Sequence, residues 1–309
     1  MNTQYKLFTV LTLVWILSSC ASQQKPDNKF DVSVKTPTFT EHHPMILFDE
    51  AHHNMHTSTG TYSPFVNLIT NDGCIVKPNS TPFSKTSLAG YDILVISNAK
   101  GGKHNFKHKP AFTDLECSIV KQWVMQGGSL LLIADHYPMG SAAENLAQQF
   151  GVHMFNGETM DSIYFEGNSS FRDKLVFSRE NKLLLDNEIT RGRKPSEMLT
   201  KIVSDRGQSL SVPDSAMVIL KLSPSSYHSL PDSIWDIGTT TYTRFTGPIS
   251  AFGNCQGLAL KVGKGRVVIL GEAAMITAQL FKGEKFGMNT PGNDNKQFAL
   301  NIIHWLADN

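Results

Sequence analysis

The run Ser129-Leu130-Leu131-Leu132-Ile133-Ala134 constrains the fold more than any other segment of this chain. It carries no charge and no alternation of polar with apolar residues. A strand wet on one face alternates, whereas a strand apolar at every position is covered on both faces. Gly127-Gly128 precedes the run and Asp135-His136 follows it. Further upstream, Thr113 and Glu116 have capping-box spacing. Leu115, Ile119 and Trp123 then recur four apart, as do Val120 and Val124. A helix that stops at glycine and feeds a doubly covered strand is one unit of a parallel sheet with helices on both faces.

Other segments repeat that unit. Met45 to Phe48 is a short apolar run ending at Asp49, and Tyr62 to Thr70 has the pattern of a helix closed by Asn71-Asp72-Gly73. Cys74 to Val76 and Tyr91 to Ser97 read as strands, and Ser141 to Phe150 as a helix. Gly257 to Val262 and Arg266 to Leu270 flank Gly263-Lys264-Gly265, which predicts a hairpin returning to the sheet. Gln297 to Leu306 is the closing helix. With right-handed crossovers this order predicts an α/β fold with a doubly wound, mostly parallel sheet. Residues 153–245 break the rhythm and read as an inserted elaboration, with Ala216 to Leu220 a strand within it.

The N-terminus has a different character. One lysine, Lys6, precedes the apolar stretch Leu7 to Leu17, which is shorter than the ~20 residues a helix needs to span a bilayer. Leu17-Ser18-Ser19-Cys20 follows. A charged start, a short apolar core and small residues form an export signal. The last four residues resemble the bacterial lipobox, which implies cleavage before Cys20 and lipid on its thiol. The expected organisation is a signal peptide over 1–19, a lipidated flexible tether over 20–40 and an α/β domain over 41–309. Ala21 after the cysteine resembles outer-membrane sorting, so the expected location is the cell envelope, held to a membrane through Cys20.

Loss of Lys6 leaves 27 basic residues, which balance the 27 acidic ones. A chain without net charge lacks the basic footprint of a nucleic-acid binder, and no nucleic-acid partner is expected. The basic loop of Gly101-Gly102-Lys103-His104 and Lys107-His108-Lys109 reads as solvated surface. Cys74, Cys117 and Cys255 remain beyond the lipidated cysteine, an odd number that cannot form a complete disulfide framework. They read as small buried residues, with one bridge among them left open.

Ligands of open parallel sheets bind outside the carboxyl ends of the strands. Four inferred strands end in Asp49-Glu50, Asn98, Asp135-His136 and Glu272. The loop after Asp49 adds His52, His53, Asn54 and His56. Two chemistries fit this set. In one, His52 and His56 share a helical face and hold zinc or a similar divalent metal with the carboxylates. In the other, Asp135, His136 and Glu272 carry acid/base catalysis without metal. Asp49, Glu50, Asn54 and Asn98 would bind the ligand. The competing explanation is that these groups cap helices and satisfy loop amides.

The segments Ile46 to His52, Tyr91 to Ile96, Trp123 to His136 and Gly265 to Glu272 resemble the class I glutamine amidotransferase-like superfamily. They are most similar to its gliding-motility transporter-associated and trehalose-utilisation-like branches. The resemblance implies a flavodoxin-like domain. Glutaminases of that superfamily place a cysteine nucleophile at a strand-to-helix turn, where this chain has Asp135, so glutaminase activity is not expected. The expected function is a membrane-anchored extracytoplasmic protein with a polar site for a small molecule or glycan, a metal-assisted hydrolase of envelope or carbohydrate-type substrates. The alternative is a non-catalytic binding or scaffold protein of the envelope.

Overall fold

A computed structural model of the protein describes residues 24–101, 109–167, 174–237 and 240–308. The expected signal peptide, Cys20 and most of the basic loop lie outside the described residues. The central sheet has seven strands: β1 Met45–Asp49, β2 Ile75–Asn79, β3 Ile93–Ser97, β4 Ser129–Ile133, β5 Met217–Lys221, β6 Cys255–Val262 and β7 Gly265–Leu270. Their spatial order is β5-β6-β7-β4-β3-β1-β2. Neighbours from β7 through to β2 pair in parallel, while β6 runs antiparallel to both β7 and β5. The hairpin at Gly263-Lys264 therefore adds a reversed strand to a mostly parallel sheet.

Helices cover both faces. The period of two along each strand sends Ile46, Phe48, Val95, Leu131 and Val268 to one face, against Phe65, Leu68 and Ile69 of α1 (Ser63–Asn71). On the same face lies the last helix, Asn295–Ala307, with Phe298, Ile302 and Leu306. Leu47, Leu94, Leu130, Leu132 and Ile269 point the other way. There they meet Val120 and Val124 of α3 (Asp114–Met125) and Leu146 and Ala147 of α4 (Met139–Gln148). The short α2 (Lys85–Leu88) adds Leu88 to that layer. Each strand of the middle is thus buried on both sides, which is why Ser129–Ile133 tolerates no polar alternation. Thr113 and Glu116 form the reciprocal capping box at the start of α3.

Two expectations need correction. The chain becomes part of the fold well before residue 40. Lys25–Pro26 pairs antiparallel with Ala278–Phe281, Asp27 is buried against Asn289, and Phe30, Val32 and Val34 pack on the core. Any tether is therefore much shorter than 20–40. The inserted region also contributes to the main sheet, because Met217–Lys221 forms its edge strand. The rest of that region builds small antiparallel sheets, including a two-stranded ribbon, Pro231–Ile237 with Thr240–Phe245. Among the described residues no helix is long and apolar enough to cross a membrane.

Candidate functional site

Asp49 ends β1 with its carboxylate buried. It accepts from the Asn54 amide at 3.0 Å, the Asn79 amide at 3.2 Å and the Ala51 N–H at 3.3 Å. The His52 ring stands between two acids, with Nδ1 2.9 Å from Asp49 Oδ2 and Nε2 2.9 Å from Glu116 Oε1. Both nitrogens donate to carboxylates, which is the bonding of an imidazolium. Burial opposes that charge, but Asp49 and then Glu116 outweigh it and hold the His52 pKa above the ordinary value. Burial likewise works to raise the Glu116 pKa, yet the Thr113 and Phe83 amides with His52 draw it down to about 2. Phe83 and Phe112 flank the ring. Glu50 is turned aside, accepting from the N–H and hydroxyl of Ser58 at 2.8 and 2.6 Å.

A second group surrounds an open cavity of about 430 Å³ at the same edge of the sheet. His56, Asn98, Asp135 and His136 form its polar wall, and Met55, Phe281 and Phe286 an apolar one. Asn98 follows β3 with φ of +48°, a left-handed conformation that asparagine tolerates better than most residues. From there its amide nitrogen donates to His56 Nε2 at 3.1 Å, and its Oδ1 accepts the Asp135 N–H at 2.8 Å. Nδ1 of His56 is 2.6 Å from the Thr61 hydroxyl. Burial, with Lys100 nearby, pushes the His56 pKa down to about 3, so this ring is neutral. His136 is more open, its side chain 30% exposed. Its Nδ1 donates to the Tyr137 carbonyl at 3.1 Å, and Nε2 stands 3.8 Å from Asp135 Oδ1.

Glu272 lies beneath this wall, fully buried at the end of β7. Its two oxygens accept the N–H groups of Ala274 and Met275 at 2.6 and 2.7 Å. Burial, reinforced by Asp135 and Asp205, drives its pKa well above the ordinary value. The Tyr62 hydroxyl donates to the Ala273 carbonyl at 2.5 Å, which ties this turn to the loop after β1. Gln208, from the inserted region, donates to the Ala134 and Asp135 carbonyls at 2.7 and 3.1 Å. Gly271 must lack a side chain here, because a Cβ would stand 2.3 Å from the Gln208 carbonyl oxygen.

The strand-end residues thus gather at one edge but divide in two. Asn98, Asp135, His136 and His56 face the cavity, with Glu272 behind them. Asp49, His52 and Asn54 knit the first loop together, and Glu50 holds Ser58. Residues 50–62 contain no helix, so His52 and His56 do not share a helical face. All four of their ring nitrogens already have partners within the protein. Among the described residues no group of three or more His, Cys, Asp and Glu side chains is placed to hold a metal ion. The shared helical face expected of His52 and His56 is corrected on the first of those grounds, the loop between them being non-helical.

Cys74, Cys117 and Cys255 are free and buried, and burial raises the last two thiols to about 12. The bridge left open among them does not form. Sequence reasoning missed Glu116 as a partner of His52, Gln208 behind Asp135, and the cavity residues Gln24, Met55 and Phe281. Glu116 is read in sequence as a helix cap, which it is. Its second role depends on a contact 64 positions away, for which a local pattern has no signal.

No protein-family model matches the chain, and no curated protein matches it. Solved structures do. The mmIFT52 N-terminal domain is similar at 16% identity with a TM-score of 0.58, covering 86% of this chain and 98% of that one. A cytoplasmic protein from Salmonella typhimurium is similar at 11% identity and a TM-score of 0.42, covering 85% of this chain and 98% of its own. At these identities the likeness concerns the mixed α/β fold alone.

Proposed function

We propose that this chain is a lipid-anchored protein of the cell envelope that binds a polar small molecule or glycan at the strand carboxyl edge and hydrolyses it by acid/base chemistry. The domain is read as flavodoxin-like and class I glutamine amidotransferase-like. The order β2-β1-β3-β4-β7 supports this, since it matches the 2-1-3-4-5 order of flavodoxin-like sheets. One observation carries the functional reading, the cavity of about 430 Å³ walled by Asn98, Asp135 and His136. That volume suits a small ligand.

His136 is the general base. Its Nδ1–H is engaged by the Tyr137 carbonyl, which leaves Nε2 as the proton acceptor. As water attacks the scissile bond, Nε2 takes its proton and later returns it to the leaving group. Asp135 favours the transient imidazolium. The reading runs through His136 because the nitrogens of His52 and His56 are committed elsewhere. The test is hydrolysis of 4-nitrophenyl glycosides and esters by the mature protein, with Asp135→Asn and His136→Ala alongside. Turnover lost in both variants supports the reading, and turnover retained in both overturns it.

A second reading is non-catalytic binding. It is favoured by Glu272, whose oxygens are both taken up by backbone amides and whose side chain is fully buried. Ligand-induced stabilisation without turnover, lost in Asn98→Leu, would select it.

A further inference from the structure

We infer that the mouth of the strand-edge cavity docks on the bilayer, so that the ligand enters from the membrane interface as the polar head of a membrane amphiphile. The inference deepens the reading above and rests on its lipid anchor at Cys20.

The first argument is covalent. Gln24 lines the cavity, and Lys25–Pro26 is stapled to Leu280 and Gln279 beside it. The Asp27 N–H donates to the Ala278 carbonyl at 2.9 Å, and Asp27 accepts from the Asn289 amide at 2.8 Å. Gln24 is four chain steps from Cys20, and an extended chain spans at most about 3.6 Å per step. A lipid on Cys20 therefore holds the cavity wall within about 14 Å of the membrane surface, however that segment is arranged.

The second argument is chemical. The antiparallel ribbon rises beside the same mouth, with Phe245 edge-on to Tyr137 of the cavity wall at 6.2 Å. Trp235 and Tyr242 face each other across the ribbon, their rings 5.9 Å apart. Trp235, Tyr242 and Phe245 are 44%, 43% and 38% exposed, and Met55 at the rim is 46% exposed. Tryptophan and tyrosine concentrate at membrane–water interfaces, where an apolar ring with a polar edge is best accommodated. The cavity has the same mixed character, lined by Met55, Phe281 and Phe286 as well as by Asn98, Asp135 and His136. An amphiphile presents that pairing of a polar head with an apolar stem.

Tryptophan quenching tests the inference on the mature protein bound to vesicles of phosphatidylethanolamine and phosphatidylglycerol with brominated acyl chains. The other tryptophans of the mature chain, Trp123 and Trp305, lie at the opposite edge. Trp123 packs against Gly128, and the neighbour of Trp305, Leu306, accepts from Ser129 at the start of β4. Brominated lipid is expected to quench emission in the wild type and not in Trp235→Phe. Met55→Trp in the Trp235→Phe background is expected to restore quenching at the cavity rim. Mass spectrometry of Cys20 is run on the same sample. A lipidated protein quenched at neither position overturns membrane docking while leaving the anchor in place. An unmodified Cys20 overturns the anchor, and the inference with it.

Discussion

The side-chain amide of Asn98 donates to His56 Nε2 across 3.1 Å, which fixes that buried ring as the neutral Nδ1–H tautomer. One residue in a left-handed conformation thereby joins the end of β3 to the loop after β1. Its other amide atom reaches Asp135, the second residue after β4. Asn98→Ala leaves the His56 nitrogen and the Asp135 N–H without their partner, and it strains the backbone. Each lost bond costs ~1–3 kcal/mol and the left-handed backbone ~1–2 kcal/mol, so a loss of at least about 3 kcal/mol is expected in denaturant unfolding. Asn98→Gly removes the backbone part and should be milder by about 1 kcal/mol.

His56 makes the fold acid-sensitive. Its pKa is about 3 in the folded chain and near 6.5 when unfolded. Between those values the unfolded state binds the extra proton, so stability falls as pH drops from 6.5 towards 3. The full difference corresponds to roughly 3–5 kcal/mol. Thermal unfolding followed across that window should lose much of its pH dependence in His56→Gln.

His52 acts in the opposite sense. Its raised pKa contributes stability that is complete below the unfolded value and is lost as pH rises through the folded one. Removing the ring in His52→Ala leaves Asp49 and Glu116 facing a void, at a cost of about 3 kcal/mol by analogy with broken buried ion pairs. Carbon-13 NMR of the carboxyl groups should show Glu116 titrating well above about 2 in that variant.

The cavity residues separate chemistry from stability. Asp135 and His136 have partly exposed side chains, 21% and 30%. Asp135→Asn and His136→Ala should therefore change unfolding free energy by less than about 1 kcal/mol. Loss of a general base lowers turnover by roughly 10²–10⁴-fold. A rate loss that tracks an equally large stability loss would argue against a chemical role.

The thiols give a simple check on packing. Cys74, Cys117 and Cys255 should resist a disulfide-exchange reagent in the native protein and all react on unfolding, because the thiolate is disfavoured while they are buried.

Local chemistry made the frame legible. The apolar run at Leu130 to Ile133, the capping box at Thr113 and Glu116, and the glycine stop after α3 act over a few residues. Such signals survive in a bare sequence. So did the polar residues at strand ends, because a parallel sheet brings its carboxyl ends together wherever they lie along the chain. What those residues touch was another matter. His52 and His56 look alike in sequence, four apart in one polar loop. One is charged between two carboxylates and the other neutral against an amide.

The sequence by itself determined the layered α/β architecture and the edge at which polar groups collect. Only the tertiary structure decided which of those groups meet a cavity, that Glu116 reaches His52, and that the chain is pinned beside the cavity from Gln24 onward. The physical reason is range. Strand periodicity and helix capping are settled by neighbours, whereas burial, protonation and cavity walls depend on residues brought together from distant parts of the chain.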